Sequence, residues 1–260
     1  MGLEKGFSDG AALVAYVCAG DPSLEATPHV VKRLERGGAD IIELGLPFSD
    51  PIADGKVIQE ASQRALARGM NPDVFFEMVS SLDVDVPLVV MTYYNLLLRG
   101  GVHAFVERCA LSGISAIVVP DLPIEEADEL RRACAQNGVG YVGFAAPTTP
   151  HERLRRILDA CTAFLYIVSR LGTTGVGGGV SERVERMLKG VSGTSVPKVV
   201  GFGISTPEEA ERLVALGADG VVVGSHFVRL AAQGRLDDIE REARAIKQGC
   251  LAGKRGRAHD

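Results

Sequence analysis

Eight short apolar runs punctuate the chain: "LVAYVCAG", "ADIIELGLP", "PLVVMTYYN", "SAIVVPDLP", "YVGFAAPT", "AFLYIVSR", "PKVVGFGIS" and "DGVVVGSHF". Each has strand length, is mostly β-branched or otherwise apolar, and ends in Gly, Pro or a polar turn. Runs that are apolar throughout suit parallel strands covered on both faces. Between them the pattern turns helical. In "TPHERLRRILDAC", Leu154, Ile157, Leu158 and Cys161 make a 3.6-residue stripe. "NPDVFFEMVSSL" gathers Val74, Phe75, Met78, Val79 and Leu82 on one side. Thr149, Pro150 and Glu152 read as a capping box with proline at the first helical position, and Thr206, Pro207 and Glu209 repeat it. "TPHVVKRLERGGA" predicts a helix starting at Thr27–Pro28 and stopping at Gly37–Gly38. "DDIEREARAIKQ" predicts a last helix packing Ile239, Ala243 and Ile246, followed by a frayed basic tail over 250–260.

Strand then helix, eight times over about 230 residues, predicts an α/β fold: a (β/α)8 TIM barrel formed by 1–260 as a single domain. The competing arrangement is an open doubly wound sheet. The even spacing of eight units favours the barrel, as does the lack of a G-x-G-x-x-G after the first strand. In such barrels chemistry gathers at the C-terminal ends of the strands. The last residues of each run and the first of each loop are therefore the informative ones.

Glu43 interrupts an apolar strand. Side chains alternate along a strand, so Ile41, Glu43 and Gly45 share a face, and Glu43 points into the barrel mouth if Ile42 and Leu44 face the helices. A desolvated glutamate has a raised pKa and can carry a proton near neutrality, as a general acid–base must. The competing role is a structural carboxylate paired with a cation, but Arg170 is the one cation among the strand-end residues. Asp54 follows eleven residues later. It is balanced between catalyst and N-cap of the helix in "ADGKVIQEA". Asp50–Pro51 reads as a loop-shaping turn, and Asp21 and Asp121 as acids bonded within their own loops.

"GFGIST" and "VVVGSHF" end the last two strands, where barrels commonly hold phosphate on backbone N–H groups and a helix N-terminus. Gly203 and Gly224 allow close approach, and Ser225 adds a hydroxyl. Ordinary tight turns would also want these glycines. The loop "SRLGTTGVGGGVS" has five glycines between Gly172 and Gly179, as a closing lid would.

Composition narrows the classes. The net charge of −5, with no basic stripe, argues against a nucleic-acid footprint. Five cysteines, an odd number without a CxxC pair, fit a reducing compartment better than a disulfide framework. The five histidines show no metal spacing, so no catalytic metal is expected. The first residues lack the apolar core of a signal peptide, and no run reaches the ~20 residues of a membrane span. A soluble, cytoplasmic enzyme is expected.

The motifs "AYVCAGDP", "ELGLPFSDPIADG", "MTYYN", "VVPDLP", "SRLGTTG", "GFGIS" and "VVVGS", in this order, resemble the tryptophan synthase alpha subunit family over roughly residues 12–232. The second motif is highly specific to it. The resemblance implies a lyase that splits indole-3-glycerol phosphate into indole and glyceraldehyde 3-phosphate by a retro-aldol step. Glu43 matches the family's proton-moving glutamate. Asp54 matches the acid that holds the indole N–H. Tyr16, Tyr166 and Phe202 would line the indole pocket, with Tyr93 also among the substrate-binding residues. Gly175, Gly203, Gly224 and Ser225 would hold the phosphate, and Thr174 matches the lid threonine. Pro47, Asp50 and Asn95 would lie at or near a beta subunit in an alpha2-beta2 complex. Pyridoxal phosphate is then expected in that partner, and no cofactor in this chain. Two departures stand out: Lys56 replaces the family's usual proline, and "VGGG" after Gly175 is unusually glycine-rich.

Other readings of the residues are a stand-alone lyase releasing free indole, a weakly active barrel kept as activator of its partner, and another phosphate-binding barrel such as indole-glycerol-phosphate synthase. Retention of both acids argues against the activator. The lack of a strand-end lysine argues against the synthase.

Overall fold

The computed structural model describes residues 2–168, 182–201 and 203–257. Its parallel strands are β1 (Ala12–Cys18), β2 (Ile41–Gly45), β3 (Leu88–Met91), β4 (Ile114–Val118), β5 (Gly140–Tyr141), β6 (Gly143–Ala145), β7 (Leu165–Val168), β8 (Lys198–Gly201) and β9 (Gly220–Val223). They run in the order β5-β4-β3-β2-β1-β9-β8-β7-β6. The run predicted as one fifth strand is thus split at Val142. Its first half pairs with β4 and its second with β7. The Val142 N–H donates to the Ile117 carbonyl at 3.1 Å, and the Gly143 N–H to the Phe164 carbonyl at 3.1 Å. These two bonds close the ring, so the architecture is the (β/α)8 barrel. Every residue of β1, β2, β3, β8 and β9 is buried, as all-apolar parallel strands require.

The outer layer comprises α1 (Ala26–Arg36), α2 (Lys56–Ala67), α3 (Pro72–Ser80), α4 (Tyr94–Gly100), α5 (Val102–Leu111), α6 (Asp128–Asn137), α7 (His151–Ala160), α8 (Glu182–Gly190), α9 (Pro207–Ala215), α10 (Ser225–Ala232) and α11 (Leu236–Arg257). The Thr206 box forms: the Glu209 N–H donates to Thr206 Oγ1, and the Thr206 N–H to Glu209 Oε2, both at 3.3 Å. The Thr149 box does not. Helix α7 starts one residue later, after Pro150, and Thr149 Oγ1 instead accepts the Ala146 N–H at 2.9 Å. Helix α1 likewise begins at Ala26, before the predicted Thr27. There Thr27 Oγ1 accepts the Gly20 N–H at 2.9 Å and so ties the loop after β1 to the helix.

The tail expected to fray over 250–260 is helical as far as Arg257, where α11 ends, and 258–260 lie outside the described residues. Gly249 and Gly253 let it lie directly against backbone carbonyls of Pro207 and Glu211 in α9, where any Cβ would clash. Cys250 between them is fully buried. At the opposite end of the barrel from the predicted site, Lys247 bonds both Asp40 oxygens at 2.8 Å and Lys198 pairs with Asp219 at 2.6 Å. These ion pairs fasten the N-terminal strand ends, the face that serves stability in this fold.

Candidate active site

Glu43 sits at the centre of β2, in register with Tyr16 of β1 and Val89 of β3. It has no solvent exposure, and among the described residues neither carboxylate oxygen has a hydrogen-bond partner. Burial, and then the nearby Asp54, push its pKa up to about 8. A buried polar group left without a partner costs stability, which argues for a role other than folding.

Asp54 lies in the loop between β2 and α2 and is also buried. It does not cap the helix: Gly55 occupies that position without a side-chain bond. Its Oδ2 instead accepts the Tyr93 hydroxyl at 2.9 Å, and that hydroxyl accepts the Ala53 N–H at 3.1 Å. Tyr93 is stacked by Phe48, with ring centroids 5.4 Å apart. Burial raises the Asp54 pKa to about 6, against the lowering effect of the Tyr93 bond. Lys56 points to solvent, loosely paired with Glu60 at 3.8 Å, and leaves Asp54 alone.

Helix α2, which follows the loop, is held from behind. Arg64 forks onto Asp21, Nε to Oδ1 at 2.7 Å and a terminal nitrogen to Oδ2 at 3.0 Å. The Asp21 side chain is only 1% exposed. Asp21 therefore reaches across to another βα unit, contrary to the local bonding expected of it. Asp121 does the same: it accepts the Tyr94 N–H at 3.0 Å.

Two tyrosines, Tyr16 and Tyr166, line the cavity, each seated over a glycine of the next strand. A Cβ on Gly45 would overlap the Tyr16 hydroxyl, and one on Gly201 the Tyr166 hydroxyl. These glycines are the reason two buried tyrosine rings fit inside the barrel mouth. The resulting cavity has a volume of about 420 Å³ and is lined by Tyr16, Glu43, Asp54, Phe144, Tyr166, Gly203, Gly224 and Ser225 among others. Gly203 has φ +84°, which favours glycine there. Gly224 precedes α10, whose first backbone bond runs from the Val228 N–H to the Gly224 carbonyl at 3.1 Å. The amides of Ser225, His226 and Phe227 are therefore outside the helical ladder, at the end of the helix that attracts anions.

Seven of the fourteen predicted site residues thus converge on one cavity. Tyr93 does not line it and stands behind Asp54. Pro47 is buried, whereas Asp50 is exposed on the loop after β2 and Asn95 is exposed in the first turn of α4. Thr174, Gly175, Phe202, Arg170 and the glycine-rich stretch 172–179 lie outside the described residues. Sequence reasoning missed Met91, Phe144 and Val222 as lining residues. Among the described residues no cluster of His, Cys, Asp or Glu could hold a metal ion, and no helix is long and apolar enough to cross a membrane.

Fold and cavity define a (β/α)8 barrel that pairs a buried strand carboxylate with a second acid on the adjoining loop. A family model described as tryptophan synthase alpha chain matches residues 5–255. The tryptophan synthase alpha chain of Haloferax volcanii is 50% identical over 266 residues, covering 97% of this chain and 96% of that one. Among solved structures, the tryptophan synthase subunit alpha of Legionella pneumophila superimposes with a TM-score of 0.85 at 30% identity, over 95% of this chain and 97% of that one. A chain of the tryptophan synthase complex of Pyrococcus furiosus gives 0.81 at 36% identity, over 91% and 97%. This chain belongs to the tryptophan synthase alpha chain family.

Proposed function

We infer that the protein is a carbon–carbon lyase that cleaves indole-3-glycerol phosphate to indole and glyceraldehyde 3-phosphate, acting with a beta subunit in tryptophan synthesis. The observation that carries this reading is Glu43: fully buried, without a partner among the described residues, and sharing a cavity with Asp54 and with the glycine turns before α9 and α10.

The two acids differ in the way the reaction needs. With pKa values near 8 and 6, Glu43 is mostly protonated at pH 7 and Asp54 mostly ionised. Glu43 donates its proton to indole C3. Positive charge then develops at the ring nitrogen, where the Asp54 carboxylate accepts the N–H and stabilises it. The carboxylate left on Glu43 takes the proton of the hydroxyl on the carbon bonded to C3. The C–C bond breaks, its electron pair returns to the ring, and the alcohol carbon leaves as the aldehyde. Glu43 ends protonated, ready for the next turnover. Each acid is expected to contribute a factor of about 10²–10⁴.

Tyr16 and Tyr166 would sandwich the indole, while Gly203, Gly224 and Ser225 would hold the phosphate. Tyr93 acts on the substrate through Asp54. Thr174, Gly175 and Phe202 keep the roles implied by the family's motifs. The exposed Asp50 and Ile52 on the loop after β2, together with the exposed Asn95 and Leu98 of α4, form the face offered to the beta subunit. Pro47 supports that loop from below. The pyridoxal phosphate belongs to the partner, since no step assigned to this chain needs it. Release of indole from indole-3-glycerol phosphate, measured with and without a beta subunit, tests this reading. No release in either case contradicts it.

A further inference from the structure

A second cavity, also about 420 Å³, lies between the loop after β4 and helix α7. It is lined by Pro120, Leu122, Pro123, Tyr141, Arg153 and Ile157, among others. It holds no counterpart of the Glu43–Asp54 pair. Its charged groups are already engaged: Asp121 accepts the Tyr94 N–H, and Arg153 pairs with Glu125 at 3.0 Å. It is room without chemistry.

Phe144 lines both cavities. It is half-buried on β6, in register with Tyr166 on β7. Its ring stacks on the Tyr166 ring at 5.0 Å between centroids and 29° between planes. Tyr166 in turn is seated over Gly201. The stack therefore stands between the two, with the catalytic cavity on one side and the second cavity on the other.

We propose that Phe144 is the partition that sets how large an aromatic ring system the catalytic cavity accepts, and so is a specificity-determining residue. This rests on the reading that the cavity binds an indole. Shortening Phe144 would join the two volumes while leaving Glu43, Asp54 and the phosphate turns in place. A ring substituent too large for the native cavity would then gain somewhere to go. A hydrophobic pocket discriminates by roughly ten-fold or more per added group of methylene size.

The test compares Phe144→Ala, Phe144→Leu and Ile157→Ala with the parent enzyme. The substrates are indole-3-glycerol phosphate and four analogues, each brominated at one carbon of the benzo ring. For at least one analogue, the ratio of its kcat/KM to that of the unsubstituted substrate is expected to rise ten-fold or more in Phe144→Ala, and about three-fold in Phe144→Leu. Ile157→Ala enlarges only the second cavity, so every ratio should stay within two-fold. The proposal is overturned if all ratios stay unchanged in Phe144→Leu and in a folded Phe144→Ala, or if Ile157→Ala produces the same gain. If the parent enzyme does not turn over indole-3-glycerol phosphate, the functional reading fails separately. The affinities of the same variants for brominated indoles then decide the partition by the same pattern.

Discussion

The Tyr93 hydroxyl stands 2.9 Å from one oxygen of Asp54 and takes the Ala53 N–H at 3.1 Å, so a single phenol fixes both the acid and the loop that carries it. Asp54 sits on a loop, where position is otherwise poorly defined. Tyr93 comes from the end of the neighbouring strand and is buried against Phe48. This arrangement lends a loop residue the precision of the barrel wall.

Tyr93→Phe keeps the ring and its packing but removes the hydroxyl. A hydrogen bond to a charged group contributes about 1.5–3 kcal/mol, so kcat/KM at pH 7 is expected to fall about ten- to hundred-fold. The bond favours the ionised acid, so its loss raises the Asp54 pKa above its value of about 6. The acid limb of the pH–rate profile should move to higher pH. An unmoved limb would show that Tyr93 does not act through Asp54.

The pair also fixes how stability depends on pH. Burial raises the folded pKa of Glu43 from 4.5 to about 8. Its unfolded value stays near 4.3. The neutral form is thus the one the fold tolerates: stability is greatest below the unfolded pKa and is lost as pH rises towards 8. Glu43→Gln cannot ionise. Its stability advantage over the parent is expected to grow between pH 5 and pH 8 and then level off, by several kcal/mol in all. Denaturant melts at pH 5, 7 and 9 measure this. A gap independent of pH would mean that Glu43 titrates as in water.

The Asp21–Arg64 fork holds α2, and with it the end of the Asp54 loop. Arg64→Met leaves a buried aspartate without its cation. Such losses cost about 3–5 kcal/mol, and the partly exposed Arg64 belongs at the low end of that range. The companion change Asp21→Asn should restore part of the loss, because the stranded charge is gone. If the double variant is no more stable than Arg64→Met, the cost lies elsewhere.

Gly45→Ala places a methyl where the Tyr16 hydroxyl lies. Overpacking of this kind costs about 1–3 kcal/mol and displaces a cavity wall. KM for the substrate is expected to rise more than the melting temperature falls in relative terms. Gly201→Ala should do the same through Tyr166. Unchanged KM in both would mean that these rings do not touch the substrate.

Sequence pattern carried the barrel because eight uniformly apolar runs alternate with helical stripes, a long-range regularity that few folds share. Glu43 was legible for the same reason: a lone charge in an apolar run has no structural excuse. The opposite holds for Met91, Phe144 and Val222. In a run apolar on both faces, alternation cannot tell which residues point inward. The Tyr93–Asp54 bond joins residues 39 apart, and the Asp21–Arg64 fork residues 43 apart, so neither leaves a local trace. At Thr149 the capping motif was present, but a turn bond to Ala146 claimed the hydroxyl. The tail reads as frayed because it is a short basic stretch at the chain's end, where order is usually lost. Yet the four-residue spacing of Gly249 and Gly253 is what lets α11 dock on α9.

The central claim is that Glu43 moves the protons. Single-turnover release of indole from indole-3-glycerol phosphate by Glu43→Gln, with beta subunit present, tests it most directly. Glutamine keeps the shape of the side chain and the cavity but can neither donate nor accept the proton. The rate is expected to fall by at least about 10²-fold, while substrate binding and the fold are retained. Turnover near that of the parent enzyme would contradict the account.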